Sequence, residues 1–225
     1  MKYIALTLLF SQLASADVGQ VIKHLGSKNG HILRSGKKIS LAVGVALEQN
    51  DRILTEDAYT VLYLEPSTQI SLSKGAEITL TQNFLDDAQE NRSFSLIELF
   101  KGFIRVQVTR DVGVEIDQQV KANDVTFGVR GTEFEVALEG EDVDLDVIEG
   151  QVEASSPLIQ SFAPEIIKAN EGLRFSKKEK KYNRRKLALR FKNHPGFLKK
   201  KEIQKKWKAR QLKKKKKKSV KKGNR

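Results

Sequence analysis

Three histidines and one row of alternating carboxylates are the side chains of this sequence best suited to chemistry. A nucleophile working with a general base needs a proton acceptor near neutral pH. The chain offers His24, His31 and His194, none inside a recognisable motif. The sequence has no Gly-x-Ser-x-Gly elbow, no His-Glu-x-x-His pair and no phosphate-binding glycine loop. Asp142, Asp144 and Asp146, with Glu153 eleven residues after the first, have the ligand spacing of a calcium loop. Such a loop needs glycine at its sixth position for a sharp turn, and here that position is Val147. The run Asp142 to Val147 instead alternates strictly, which predicts a strand with an apolar side on a core and an acidic outer face. The sequence contains no cysteine, which excludes disulfides, thiolate metal sites, a cysteine nucleophile and a lipid-modified N-terminal cysteine. No catalytic residue, metal site or cofactor is expected. Hydrolysis of a polysaccharide ranks third among the functional readings, because nothing selects a pair from the many carboxylates and aromatic residues make up only 7% of the chain.

The elements that must position these residues read as strands. Period-two alternation runs through Tyr59 to Leu64, Ile78 to Thr81, Ile104 to Thr109 and Glu133 to Leu138. Turn residues punctuate it at Lys28-Asn29-Gly30, Ser35-Gly36, Lys74-Gly75, Asp111-Val112-Gly113 and Glu139-Gly140. Short strands at frequent intervals, with no convincing helical stretch, predict an all-β fold: a twisted sandwich, a jelly-roll-like fold or an irregular β-solenoid. Gly19-Gln20-Val21, Gly102-Phe103-Ile104 and Gly150-Gln151-Val152 share a local shape at unequal spacing, so a strict repeat is not expected.

Charge divides the chain. Residues 17–172 hold 14 Lys and Arg against 26 Asp and Glu, whereas residues 173–225 hold 26 against 2. The inversion predicts a boundary near Gly172 between an acidic body and a basic tail. Met1 to Ala16 has the layout of a secretory signal: Lys2, an apolar Ile4 to Leu13, and Ala14-Ser15-Ala16 as the cleavage pattern, with the cut expected after Ala16. That segment is too short to span a bilayer, and the mature chain is expected in the periplasm or outside the cell.

Two segments carry a family resemblance. Val125-Thr126-Phe127-Gly128-Val129-Arg130-Gly131-Thr132-Glu133-Phe134, followed by the acidic alternation Asp142 to Gly150, resembles the signature of the FecR-type domain. Asn50 to Thr55, Tyr59 to Ser73, Leu96 to Val106 and Ile148 to Glu153 fall in the order that family shows, so the resemblance spans roughly residues 45–155. Asn50 stands where glycine is commoner and Glu65-Pro66-Ser67 replaces an Asp-Gly turn; both alternatives suit turns. The resemblance implies an all-β FecR domain with Gly128, Arg130, Gly131, Thr132 and Gly150 as structural motif residues. Gly128 and Gly131 are expected to mark a bulge or a close backbone approach, with Arg130 pairing to a nearby carboxylate. Members that regulate sigma factors carry a helical cytoplasmic region, a membrane-spanning helix and a region that meets an outer-membrane transporter. Here about 30 residues separate the export signal from the domain and a lysine-rich run follows it, so relay to a sigma factor is not expected.

The expected organisation is a signal peptide over 1–16, a FecR-like β domain over 17–172 and a basic, partly helical or disordered tail over 173–225. Arg184, Arg185, Lys199, Lys200, Lys201, Lys205, Lys206 and Trp207 are the candidate contacts to an anionic partner. Lysines near an anionic surface contribute about 1 kcal/mol each, and Ile203 and Trp207 share one face of a helix over about 199–212. The expected role is a non-enzymatic, exported binding or scaffold protein whose tail touches an anionic cell-envelope component or another protein, with peripheral membrane contact. The alternative is a periplasmic ligand-sensing regulator of membrane signalling. Nucleic acid is less available to an exported chain. The acidic row Asp142, Asp144 and Asp146 also offers the tail a landing face within the molecule, at near contact because the Debye length is about 8 Å at physiological salt.

Overall fold

The computed structural model describes residues 17–26, 29–85, 92–109, 115–159, 164–191 and 202. The expected signal peptide, the turn at 111–113 and the expected helix over 199–212, apart from Glu202, lie outside them. Seventeen strands follow in chain order: β1 Asp17–Leu25, β2 His31–Arg34, β3 Lys37–Ser40, β4 Ala46–Glu48, β5 Arg52–Leu54, β6 Tyr59–Leu64, β7 Thr68–Leu72, β8 Glu77–Leu85, β9 Arg92–Val108, β10 Glu115–Ala122, β11 Val125–Val129, β12 Glu133–Glu139, β13 Asp142–Glu149, β14 Gln151–Ser155, β15 Glu165–Lys168, β16 Glu171–Ser176 and β17 Lys181–Lys186. The fold is all-β, as the alternation predicts.

The strands form two layers that share β9. One layer runs β4-β1-β6-β7-β9-β12-β13-β16-β17. The other runs β3-β2-β5-β8-β9-β10-β11-β14-β15. We call these layer A and layer B. Every pairing is antiparallel except β9 with β10. From β10 onward the chain lays down one hairpin at a time on alternate layers: β10–β11 on B, β12–β13 on A, β14–β15 on B and β16–β17 on A. Inward side chains of both layers meet in one core, which includes Ile53, Leu62, Ile70, Ile97, Val106, Phe127, Phe134, Val136, Leu145, Val152 and Phe175. Period two along each strand places these residues inside and their neighbours outside.

A chain that changes layers must turn sharply, and the turns stack at the two ends of the sandwich. At one end, the corner after β5 places the buried Thr55 hydroxyl against the corner after β7. Its Oγ1 donates to Ser73 O at 2.7 Å and accepts from Ala76 N at 2.9 Å. Ser73 Oγ in turn accepts from Phe103 N at 3.1 Å, beside the point where β9 bends from layer B to layer A at Gly102, φ +81°. At the other end the signature segment makes the B-to-A corner: Gly131 has φ +62° and Thr132 is buried, with its carbonyl accepting from Val108 N at 2.9 Å. Gly150, φ +83°, makes the return corner, and a Cβ there would stand 2.6 Å from Thr132 Cγ2. The next corner closes on it through Ala169 N to Gly150 O, 3.0 Å.

Two expectations need correction here. Gly128 is neither a bulge nor a close approach: it sits in register between Gln119 and Glu153, and a Cβ there would meet nothing within 4 Å. The sheet also does not stop at the boundary expected at residue 172, which falls inside β16; β16 and β17 extend layer A to Lys186. The first arginines beyond that position, Arg174, Arg184 and Arg185, sit on these added strands as counter-ions to acidic residues of the body.

The corner packing yields a test. Gly140→Ala, at φ +64° with open space around it, is expected to cost about 1–2 kcal/mol for the left-handed backbone alone. Gly150→Ala is expected to cost a further ~1–3 kcal/mol from the collision with Thr132. Urea denaturation of the two variants measures the difference.

Candidate functional site

The β12–β13 hairpin turns Phe134, Val136, Val143, Leu145 and Val147 toward the core. Its opposite face therefore carries Glu133, Glu135, Asp144 and Asp146. The register sets Glu135 directly across from Asp146, and Glu139 across from Asp142. Like charges facing each other across a pair of strands destabilise it. The conflict is sharper because Glu135, Asp144 and Asp146 are all buried, at 2%, 4% and 1% exposure. A buried carboxylate must be matched by cations and donors.

The cations come from the segment that the composition separates from the body. Arg185 of β17 makes a bidentate contact with Asp146, at 2.9 Å from Nη1 to Oδ1 and 2.6 Å from Nη2 to Oδ2. It reaches across β16, because Arg185 pairs with Gly172 and Gly172 pairs with Asp146. A Cβ on Gly172 would lie 2.9 Å from Asp146 Oδ1 and 3.0 Å from Arg185 Nη1, so the missing side chain is the window for this contact. Arg174 of β16 lies over Asp144, with Nε 3.0 Å from Oδ1, and bonds Glu139 at 2.9 Å.

Beyond β17 the chain folds back over layer A as a short strap, residues 187–191. Ala188 N donates to Asp146 Oδ1 at 2.9 Å and Arg190 N donates to Glu135 Oε2 at 2.8 Å. The Arg190 guanidinium bridges Asp144 Oδ2 at 2.5 Å and Glu139 Oε1 at 2.7 Å. Phe191 ends the strap, buried edge-on against Phe103 of β9 with ring centroids 4.7 Å apart. Arg105 closes the far side, 2.8 Å from Glu133 Oε1.

Protonation follows from these contacts. Burial pushes the Glu135 carboxyl above its ordinary value, against the opposing pull of the Arg190 and Phe191 amides and of Arg105. The Arg190 hydrogen bond holds Glu139 below its ordinary value. Burial works to lower the pKa of Arg190, yet its bonds to Glu139 and Asp144 raise it. Burial moves the Tyr182 hydroxyl up to about 12. The arrangement is a clamp of three arginines and four carboxylates, Glu135, Glu139, Asp144 and Asp146, that pins the start of the basic segment to the body. It offers no nucleophile poised beside a base, and among the described residues no group of three or more metal-ligating side chains converges.

The residues singled out from sequence fall in different places. Arg185 is inside the clamp. Arg184 points elsewhere, to Glu165 at 2.8 Å and Glu171 at 3.1 Å, and remains about half exposed. Lys199, Lys200, Lys201, Lys205, Lys206 and Trp207 lie outside the described residues. Arg130 pairs with Glu115 at 3.0 Å on the surface, while Gly131, Thr132 and Gly150 form the corner described above. Asp144 and Asp146 were legible as a landing face. Arg174, Arg190, Glu135 and Glu139 were not, because each meets its partner only through the strand register.

Residues 51–153 match the family model described as FecR protein. Two crystal structures of a proposed anti-sigma factor from Parabacteroides distasonis ATCC 8503 are similar at 20% identity. One has a TM-score of 0.49 and covers 60% of this chain and 59% of that one. The other has a TM-score of 0.47 and covers 59% and 57%. The chain thus spans less than two thirds of the length of the proteins it resembles in structure. No curated protein matches the chain. Among the described residues no helix is long and apolar enough to cross a membrane.

Two measurements probe the clamp. Asp146→Ala leaves Arg185 and the Ala188 amide without their acceptor and is expected to cost about 3–5 kcal/mol; it should also loosen the strap, so that trypsin is expected to cut after Arg190 faster than in the unaltered protein. The pH dependence has two opposite signs. Glu135, whose folded pKa is raised above 4.5, costs stability as pH climbs through that folded value. Glu139, whose folded pKa is lowered below 4.5, adds stability that disappears as pH falls through it. Glu135→Gln is expected to remove the loss above the ordinary carboxylate range and to leave the acid loss intact, read from urea midpoints across the acid to neutral range.

Proposed function

We propose that this chain, whose residues 51–153 form a FecR domain, is an exported, non-enzymatic binding or scaffold protein of the periplasm or cell exterior. Its sheet body is the rigid base, and the basic run beyond Phe191 is the arm that contacts an anionic envelope component. The observation that carries this reading is the division of cations. Those at 174, 185 and 190 are neutralised inside the clamp. Residues 192–225 hold seventeen Lys and Arg against the single acid Glu202. The clamp thus accounts for the arginines up to 190, and we assign the excess positive charge of the lysine-rich sequence that follows to a partner, at about 1 kcal/mol per lysine near an anionic lipid surface.

The family match also favours a second reading, a regulator that senses a ligand in the periplasm and acts through a separate membrane partner. Neither reading requires chemistry. They differ in what holds the protein: salt-sensitive charge contact in the first, a specific membrane protein in the second.

A truncation placed by the clamp tests the first. Removal of residues 192–225 leaves every clamp residue in place, whereas a cut before β17 would remove Arg185 and Arg190 and expose Asp144 and Asp146. The truncated protein is expected to keep its melting temperature and to lose salt-sensitive binding to vesicles containing phosphatidylglycerol and to cell-wall preparations. Binding to both that is undiminished by the truncation would end this reading.

A further inference from the structure

On the opposite face of the sandwich, layer B carries a concavity of about 470 Å³ lined by Asp117, Gln119, Gly128, Arg130, Gln151, Glu153 and, at its edge, Ile166. The register explains the hollow. Gln119 of β10, Gly128 of β11, Glu153 of β14 and Ile166 of β15 lie side by side across four strands. Their neighbours Val120, Phe127, Val152 and Ile167 point into the core. Gly128 is the one position of this row without a side chain, so the floor drops between Gln119 and Glu153. Nothing in the fold requires glycine there: the backbone is ordinary strand and a Cβ would meet no atom within 4 Å. That contrasts with Gly102 and Gly150, where positive φ and close contacts both demand it.

We propose that this concavity is a binding site for a neutral, polyhydroxylated ligand, a segment of glycan. The lining decides the chemistry. Asp117, Gln119, Gln151 and Glu153 make no side-chain hydrogen bond or ion pair among the described residues. Two amides and two carboxylates together supply both donors and acceptors, which suits hydroxyl groups that both give and accept hydrogen bonds. Asp117 and Glu153 turn away an anion, while Arg130, paired with Glu115 at 3.0 Å, stands at the rim against a cation, and the lysine analogue used below separates a cationic ligand from an uncharged one. Ile166, 38% exposed, offers an apolar surface to the C–H face of a sugar ring. The volume falls within the range of small-ligand sites, and its openness to solvent suits one or two residues of a longer polymer. This site lies on layer B, whereas the strap that ends at Phe191 lies on the outer face of layer A.

The test uses Gly128→Val, which fills the floor at a position whose backbone accepts a side chain. The full chain is titrated with a panel of neutral oligosaccharides built of hexoses and N-acetylhexosamines, up to ~10 mM, the weak end of measurable affinity, while backbone amide shifts are followed by NMR. N-acetyl-lysine methylamide serves as the cationic control. The expected result is shift changes at Gln119, Gly128 and Glu153 with at least one sugar. Affinity should fall at least tenfold in Gly128→Val with unchanged melting temperature, and about as much in Gln119→Ala. Protein truncated after Phe191 should bind the sugar equally well, so this result is independent of what the basic arm does. No shift with the whole panel, shifts that Gly128→Val leaves intact, or shifts with the lysine analogue alone would overturn the proposal.

Discussion

The burial of Asp146 is the constraint on which the C-terminal third of this molecule depends. A carboxylate at 1% exposure, facing the carboxylate of Glu135 across a strand pair, is unfavourable in any isolated β12–β13 hairpin. It becomes tolerable only when β16, β17 and the strap arrive with Arg185 and the Ala188 amide. Layer A therefore cannot end at β13 without exposing an electrostatic fault. The glycine at 172 belongs to the same constraint, since it alone lets a guanidinium on the third strand reach a carboxylate on the first. Three strands and a strap are thereby tied into one cooperative unit.

The body upstream is governed by a different demand, that of changing layers. Each crossing needs a corner, and the corners stack so that one corner's polar groups satisfy the next. Thr55, Ser73 and Phe103 exchange hydrogen bonds at one end. Thr132 and Gly150 pack at the other, next to the carbonyl that receives Ala169 N. Gly131, Thr132 and Gly150, three of the residues that carry the resemblance to the FecR signature, belong to this second stack. The signature therefore specifies a way of folding, and the faces on either side of the sandwich are left free to differ in chemistry.

This division sets what was legible beforehand. Alternation such as Phe134, Val136, Leu138 against Glu133, Glu135, Ala137 is local, and it named both strands and core faces correctly. Gly128 and Gly131 were both expected at a bulge or a close approach, yet Gly131 stands at the corner between β11 and β12 with φ +62° and Gly128 lies in a regular strand; one glycine is indistinguishable from another until the register is known. The acidic row was visible as a landing face, yet its cations were not. Arg174, Arg185 and Arg190 stand 30, 39 and 46 residues from the carboxylates they bind, and no local pattern carries that information. The same blindness hid continuity of the sheet: a composition change at 172 looks like the end of a domain, yet position 172 lies inside β16, whose neighbour β17 carries a counter-ion for Asp146.

A more informative signal lay in which cation the chain uses. All four arginines between 173 and 191 make charge-paired contacts with carboxylates, three of them with Asp144 or Asp146. From 192 onward the basic residues are fifteen lysines and two arginines. The planar guanidinium can hold two carboxylates at once and is the less costly of the two cations to dehydrate, whereas the ammonium is compact and strongly hydrated. Arg190, with Asp144 and Glu139 on one nitrogen, shows the first behaviour. A run of lysines cannot substitute for it at a buried carboxylate, and arginines are not needed where charge only has to meet a wet anionic surface. Residues 173–191 hold five lysines beside the four arginines, yet it is arginine that meets the buried Asp144 and Asp146, so the choice of cation at those two carboxylates, rather than the mere abundance of base, is what the structure depends on.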